Sequence, residues 1–566
     1  MKEELQTMKR KLLAIALVCT MSVSLLIGCG SNGNAGNTDA ENTGDTSATE
    51  DSSEATTDAQ TGDVAQLTGI VLKHPLTQPN EDIEWLQEVE ARTGVNITWE
   101  EISADWDMVK GPLLASGEIP DIIVGANTIS DSDFAQFPGL FLDFAPHLDA
   151  LPNVQRMFSE VPDTEILARQ LSGEIYGLPK YQRFWPDTVV RQYINQEWLD
   201  NLGLDVPTNW DELFDVLVAF RDGDPVGNGN ATEVIPFDFS PMPTSPSGFG
   251  FFSAIPPLLG STGLPLTDHQ SQGFFVEDGV VGNYWTDERF KDVVEFLHKA
   301  WAEGLMNPEL FTQDYVTYQS VARGEGDDAK VGFSFGWEVA DRFGDQLAPQ
   351  YTSIAALEQS AGQSASVMWP YDSNTLNFAT NIVTVSSQTS ELDAALRFVN
   401  ELYDPEVSVQ ILFGSIGSNI ADNGDGTYAV LPPEEGSDMD QGTLKWTSTW
   451  ADNGPMFIPD DFQLELGPDM AGVLEETVPL QPAIDNVNRE TDVLSMMFIK
   501  FNDADNSTMA RNQTNFMNVG LANFAEWVTN GGCENGWDAH VEAMNSAGLQ
   551  ENTEIIQRYY DEIHGN

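Results

Sequence analysis

Between residues 67 and 125 short apolar runs alternate with amphipathic helical stretches, and this alternation restricts the fold more than any other feature. Leu67-Thr68-Gly69-Ile70-Val71-Leu72 reads as a strand. Asn80 then caps a predicted helix running to about Arg92, with Ile83, Leu86 and Val89 on one face and Gly94 as its stop. Val95-Asn96-Ile97-Thr98-Trp99 alternates as a half-buried strand does. A second helix ends near Ser116-Gly117, and Asp121-Ile122-Ile123-Val124-Gly125 is a continuous apolar run suited to a sheet covered on both faces. Strand, helix, strand, helix, strand implies a parallel sheet with right-handed crossovers, and hence an α/β lobe.

Ahead of this lobe lie two segments that cannot belong to it. Lys9-Arg10-Lys11 precedes an apolar run over 12–27 that ends in Gly28-Cys29. A basic patch before a short apolar run has the layout of a secretory signal, and the run is shorter than the ~20 residues a membrane-spanning helix needs. Leu26-Ile27-Gly28-Cys29 resembles the bacterial lipobox, whose cysteine receives a diacylglycerol and becomes the new N-terminus. The alternative reading is a transmembrane anchor or buried helix. Two acyl chains hold a protein stably where one is marginal, at about 0.8 kcal/mol per buried methylene. Residues 1–29 are therefore expected to be a lipoprotein signal peptide, Cys29 the lipidation site, and the mature chain a resident of the extracellular face of the cell membrane. Met8 offers a second possible start.

Residues 30–66 are mostly Ser, Thr, Asn, Gly, Asp, Glu and Ala, with no Lys or Arg and almost no large apolar side chain. Such a stretch cannot bury enough surface to offset its ordering entropy, so a disordered acidic tether is expected.

The chain has 566 residues, with 89 acidic side chains against 25 basic ones and a formal net charge of -64. A field of that sign repels nucleic acid and anionic lipid, so nucleic-acid binding is excluded; solubility is its ordinary explanation. There are three cysteines. Cys19 lies in the leader and Cys29 at the lipobox, which leaves Cys533 alone, as an incidental thiol, with no partner for a disulfide.

Five motifs in order carry a family resemblance. Leu114-Ala115-Ser116-Gly117-Glu118-Ile119-Pro120-Asp121-Ile122-Ile123 and Glu174-Ile175-Tyr176-Gly177-Leu178-Pro179 resemble recurrent stretches of the extracellular solute-binding proteins of ABC importers. Glu197-Trp198-Leu199-Asp200-Asn201-Leu202-Gly203-Leu204-Asp205-Val206-Pro207-Thr208 resembles a pattern of their large, lipid-anchored, oligosaccharide-binding branch. The helix at Leu392-Asp393-Ala394-Ala395-Leu396-Arg397-Phe398-Val399-Asn400 and the tail from Trp537 to Tyr560 fit as well. Asn195 departs from the pattern, because that branch has Arg there. The resemblance implies a two-lobe periplasmic-binding-protein-like α/β fold of class II with a hinge. The lobes would be 67–185 plus 376–445 and 186–375 plus 446–566. It also implies a monomer that delivers its cargo to the permease subunits of an ABC transporter.

Asp224-Pro225-Val226-Gly227-Asn228-Gly229-Asn230-Ala231-Thr232-Glu233 places oxygen side chains at alternate positions with glycines between them. Such a loop can wrap a hard cation at about 2.3–2.6 Å, the range of Ca²⁺. It resembles the family's calcium loop, which implies Asp224, Asn228 and Glu233 as side-chain ligands and Asn230 as a carbonyl ligand. Val226 and Thr232 stand where the family has Asp. A plain Asp/Gly/Asn turn is the alternative.

Sugar recognition needs flat apolar faces for C–H surfaces and planar hydrogen-bonding groups for hydroxyls. Of 14 tryptophans, Trp185, Trp285, Trp337, Trp369, Trp446 and Trp450 stand beside loop residues. Trp185, Trp337 and Trp369, the last with Tyr371, are the strongest cleft candidates, although a tryptophan in a core is commoner. Loops beyond the C-terminal ends of parallel strands bind ligands in open α/β sheets, which adds Lys73, His74 and Asn127. Lys180, Arg183 and Arg191 are conspicuous in so acidic a chain, with surface ion pairing as their plain explanation. No His-Glu-x-x-His, Gly-x-Ser-x-Gly, phosphate loop or Cys/His cluster occurs, so no catalytic residue is expected.

The sequence thus reads as a lipid-anchored receptor that captures an extracellular oligosaccharide by hinge closure. A neutral sugar is favoured by the overall field, unless Lys180 and Arg183 reverse it locally for a uronic-acid oligomer. The alternatives are a surface-anchored glycoside hydrolase and a receptor of the same fold for peptide, lipid or another solute.

Overall fold

In the computed structural model, residues 64–126, 128–227, 234–240, 252–266, 272–324, 326–372, 375–433 and 441–565 are described. The leader, Cys29, residues 30–63 of the tether, Asn127, Asn228, Asn230 and Glu233 lie outside them; the fold begins two residues earlier than expected, because Ala65 and Gln66 already pair with Val95 and Asn96.

Strand Ala65–Leu72 pairs in parallel with Val95–Ile102 on one side and Ile122–Val124 on the other. The intervening helices are Glu84–Thr93 and Trp106–Ser116. The first buries Trp85, Leu86 and Val89 against the sheet and stops at Gly94, whose φ of 69° is the left-handed conformation that glycine adopts without penalty. Asn80 is not its cap. Asn80 begins a separate 3-10 turn, and its side-chain oxygen accepts the indole N–H of Trp450 at 3.1 Å, which removes it from helix capping.

The first sheet runs in the order Phe457–Ile458, Leu178–Gln182, Phe378–Val385, Ile122–Val124, Ala65–Leu72, Val95–Ile102. Strand Phe378–Val385, which follows the second lobe's segments in the chain, runs antiparallel to both of its neighbours. A second sheet runs Tyr351–Ser353, Arg191–Asn195, Val331–Gly336, Ile235–Phe237. Each sheet has its own hydrophobic core. One contains Leu67, Trp85, Val124, Leu178, Ile382, Phe398 and Trp450. The other contains Tyr193, Trp198, Phe220, Trp285, Phe333, Trp369 and Phe524. The chain is thus a two-lobe α/β protein.

Trp450, Met456, Phe457 and Ile458 belong to the first core. Strand Phe457–Ile458 pairs with Leu178–Gln182, which holds this stretch in the first lobe, whereas a boundary at 445 assigns it to the second. The second lobe is completed by helices Asp503–Asn530, Cys533–Ser546 and Leu549–His564. At its centre Arg342 and Asp238, both fully buried, pair at 3.0 Å. Asn307 and Gln313 satisfy the remaining Asp238 oxygen, as a buried charge requires. Asn195 caps helix Gln196–Leu202 by accepting from the Trp198 N–H at 2.9 Å, a local use for the residue that replaces the family Arg.

Candidate functional site

Three strands end where the two cores meet, and each delivers an aromatic or basic side chain there. Lys73 and His74 follow Ala65–Leu72, Arg183 and Trp185 follow Leu178–Gln182, and Trp337 follows Val331–Gly336. Helix Gln441–Ser448 adds Lys445 and Trp446. Sequence reasoning missed Lys445, whose only signal was the scarcity of bases in so acidic a chain.

The half-buried indoles of Trp185 and Trp337 meet edge to face, with centroids 5.2 Å apart at 74°. The Lys445 ammonium sits 4.9 Å from the Trp185 ring and 5.4 Å from that of Trp446. Trp446 packs at 4.5 Å against His74, whose imidazole is kept below its ordinary pKa by burial and so is neutral at pH 7. Residues far apart in the sequence thus form two ring pairs, His74 with Trp446 and Trp185 with Trp337, bridged by the Lys445 ammonium into one aromatic surface.

Polar groups hold this surface in place. Arg191 is fully buried: it donates to the Trp337 carbonyl at 2.7 Å, to Thr477 Oγ1 at 2.9 Å and to the carbonyls of Thr188 and Val473 at 3.1 and 3.2 Å. It is a scaffold cation and not a surface ion-pair partner. Lys180, also buried, donates to the Asp452 carbonyl at 2.9 Å and to its carboxylate at 3.3 Å. Burial alone would raise the pKa of Asp452, but the ammoniums of Lys445 and Lys180 hold it down to about 2. Arg183 donates to the Phe462 carbonyl and lies 5.1 Å over Phe184. Lys73 pairs with Glu101.

Beneath Trp337, Glu476 accepts from the Tyr193 hydroxyl at 2.7 Å and from the Val339 N–H at 3.2 Å. Burial, with the nearby Glu338 charge, pushes its pKa up to about 7 against the hydrogen bond from Tyr193.

The other aromatic candidates are core residues. Trp369 is buried, and its indole donates to the Val190 carbonyl at 3.0 Å. Tyr371 is buried beneath Arg489, whose guanidinium lies 4.6 Å from its ring. Trp285 is covered by the long helix at Gly520, where an added Cβ would lie 2.9 Å from the indole. Trp450 packs edge-on against Trp85 and Trp99. None of these rings offers a free face. Cys533 is buried too, and burial pushes its thiol up to about 12.

Asp224 opens its loop in the left-handed region at φ 52°, with its carbonyl accepting from the Gly227 N–H at 3.1 Å. Asn201 donates to the Pro225 carbonyl at 2.9 Å. The other expected calcium ligands lie outside the described residues. Among the described residues no three His, Cys, Asp or Glu side chains group as a metal site, and no helix is long and apolar enough to cross a membrane.

Residues 84–421 match the family described as "Bacterial extracellular solute-binding protein". The fructooligosaccharide ABC transporter substrate-binding protein FusA of Streptococcus pneumoniae is 26% identical over 97% of this chain and 98% of its own. A solved solute-binding protein from Bifidobacterium longum infantis, described as HMO-binding and ABC-transporter associated, is 32% identical. It superposes with a TM-score of 0.79 over 88% of this chain and 98% of its own. The structure of a FusA EF-hand mutant in complex with fructo-nystose is 25% identical, with a TM-score of 0.76 over 88% of this chain and 100% of its own.

Proposed function

Because this chain belongs to the bacterial extracellular solute-binding proteins, we propose that it is the lipid-anchored receptor of an ABC importer and captures an oligosaccharide between its two lobes. The observation that carries this reading is the aromatic surface formed by His74, Trp446, Trp185 and Trp337 at the junction of the two cores. Indole faces match the C–H side of a pyranose or furanose ring, and the surrounding ammonium and amide groups match hydroxyls. The sugar-binding descriptions of FusA and of the Bifidobacterium protein support the same ligand class.

In this mechanism the sugar bridges the lobes, binds the closed arrangement more tightly than the open one, and so shifts the population toward closure. The permease in the membrane engages the closed form. Residues 67–185, 376–445 and the 446–458 stretch form one moving body, and 186–375 with the C-terminal helices the other. Trp185 and Trp337 sit on opposite sides of that division. Cys29 carries the lipid, and 30–64 is the tether that holds the receptor, as a monomer, at the outer face of the membrane.

Calcium binding at the loop opened by Asp224 is part of the proposal. Its support is the oxygen-rich composition of the loop, the left-handed turn at Asp224 and the EF-hand named for the FusA structure. With two family carboxylates replaced by Val226 and Thr232, any ion there would stabilise the lobe and take no part in sugar chemistry.

The test is a thermal-shift screen of the purified soluble chain against oligosaccharides, with and without a calcium chelator, followed by chromatography of the glycans. The expected result is a rise in melting temperature with particular glycans, all recovered intact, and a fall on chelation. Cleaved glycan would convert the reading to a hydrolase, and stabilisation by peptides alone would convert it to a receptor for another solute.

A further inference from the structure

Lys445 brings to the aromatic surface a positive charge that a neutral sugar, which would use only its N–H donors, does not need. Its side chain is 10% exposed, yet among the described residues its ammonium makes no hydrogen bond. The nearest carboxylate oxygen, Oδ2 of Asp452, is 3.8 Å away, beyond hydrogen-bonding reach. Its other neighbours are the ring faces of Trp185, Trp446 and Phe413 at 4.9, 5.4 and 5.9 Å. Rings attract a cation without taking up its three N–H donors.

The local charge does not cancel either. Asp452 is already engaged by Lys180 at 3.3 Å and by Gln182 at 3.2 Å, so two ammoniums share one carboxylate. The neighbouring Lys73 is matched by Glu101, and His74 is neutral. Among the described residues, the group of Lys180, Lys445 and Asp452 thus carries two positive charges against one negative, in a chain whose overall balance is -64. The overall field does not override this, since exposed charges are screened beyond about 8 Å at physiological ionic strength while a partly buried contact is screened much less.

Resting on the sugar-receptor reading above, we propose that Lys445 is an anchor for the carboxylate of an acidic sugar unit, with the adjoining pyranose ring laid on the indoles of Trp185 and Trp446. The ligand class is a carboxylate-bearing oligosaccharide, whether the acid is a uronic or a sialic acid. The carboxylate would supply the missing hydrogen-bond acceptors and the missing negative charge together, a charge-assisted contact of the stronger kind.

Calorimetric titration of the protein with two matched pairs tests this: 3′-sialyllactose against lactose, and trigalacturonate against its carboxyl-reduced trisaccharide. One acid is expected to bind about tenfold to a hundredfold more tightly than its uncharged partner, and the advantage should shrink as sodium chloride is raised. The pair that shows it identifies the source of the acid. Lys445→Gln should bring the acid to the affinity of its neutral partner, while Lys445→Arg keeps the preference. Should Lys445→Gln fold poorly, the salt dependence of the unaltered protein makes the same distinction. Equal affinity for acid and neutral partner, or an equal loss for both in Lys445→Gln, overturns the inference and leaves the sugar-receptor reading in place. Absence of binding by every glycan, neutral ones included, overturns both.

Discussion

The guanidinium of Arg191 lies 4.8 Å from the indole ring of Trp337 while donating a hydrogen bond to the same residue's carbonyl at 2.7 Å. One buried cation therefore fixes both the backbone and the plane of a tryptophan at the lobe junction. Its other donors tie Trp337 to the end of helix Pro468–Thr477 and to the crossing segment at Thr188.

Arg191→Lys should separate this positioning role from simple folding. Lysine keeps the charge but loses the planar fork and the stack. Oligosaccharide affinity should fall about tenfold or more, stability by about 1–3 kcal/mol, and the Trp337 fluorescence should shift; titration and urea denaturation read these. Unchanged affinity would mean that Trp337 holds its orientation unaided.

Trp185→Ala and Trp369→Ala should give opposite phenotypes. Trp185 is half-buried at the junction, so its loss should reduce sugar affinity with a modest effect on stability. Trp369 fills the second core, so its loss should cost about 3–5 kcal/mol in denaturant unfolding. Comparable stability losses in both would place Trp185 in the core as well.

Glu476 should make stability depend on pH. Its folded-state pKa, about 7, lies above the ordinary glutamate value of 4.5, so the folded chain binds this proton more tightly than the unfolded chain. The stability it contributes is present at low pH and is lost as pH rises from about 4.5 to 7, on the order of 2–3 kcal/mol over that window. Tyr193, Glu338 and Arg191 are the titratable and charged groups acting on it. Comparing unfolding free energies at pH 5 and pH 8, Glu476→Gln should remove this component of the slope.

The buried Arg342 and Asp238 pair makes a further prediction. Arg342→Met alone leaves an uncompensated carboxylate and should cost about 3–5 kcal/mol. Adding Asp238→Asn should recover a substantial part of that loss in a double-mutant cycle, because the unpaired charge is then gone.

Much of the architecture was legible in the sequence. Alternating apolar runs, with Gly94 as a stop, marked the strands and helices from 67 to 125, because periodicity reports directly which face is buried. Of the tryptophans in loop-like contexts, Trp185 and Trp337 lie at the junction because strand ends deliver the loops that follow them, whereas Trp446 reaches it from helix Gln441–Ser448. Trp285, Trp369 and Trp450 have the same local context and are core residues. What decides between these fates acts over long chain separations: Gly520 against Trp285, the Val190 carbonyl for Trp369, and Asn80 bonding Trp450 across 370 positions. The sequence by itself determined the α/β class, the excess of negative charge and the aromatic supply. Only the tertiary structure decided which indoles keep a free face and where Lys445 is left with unspent donors, because both depend on packing partners that local pattern does not encode.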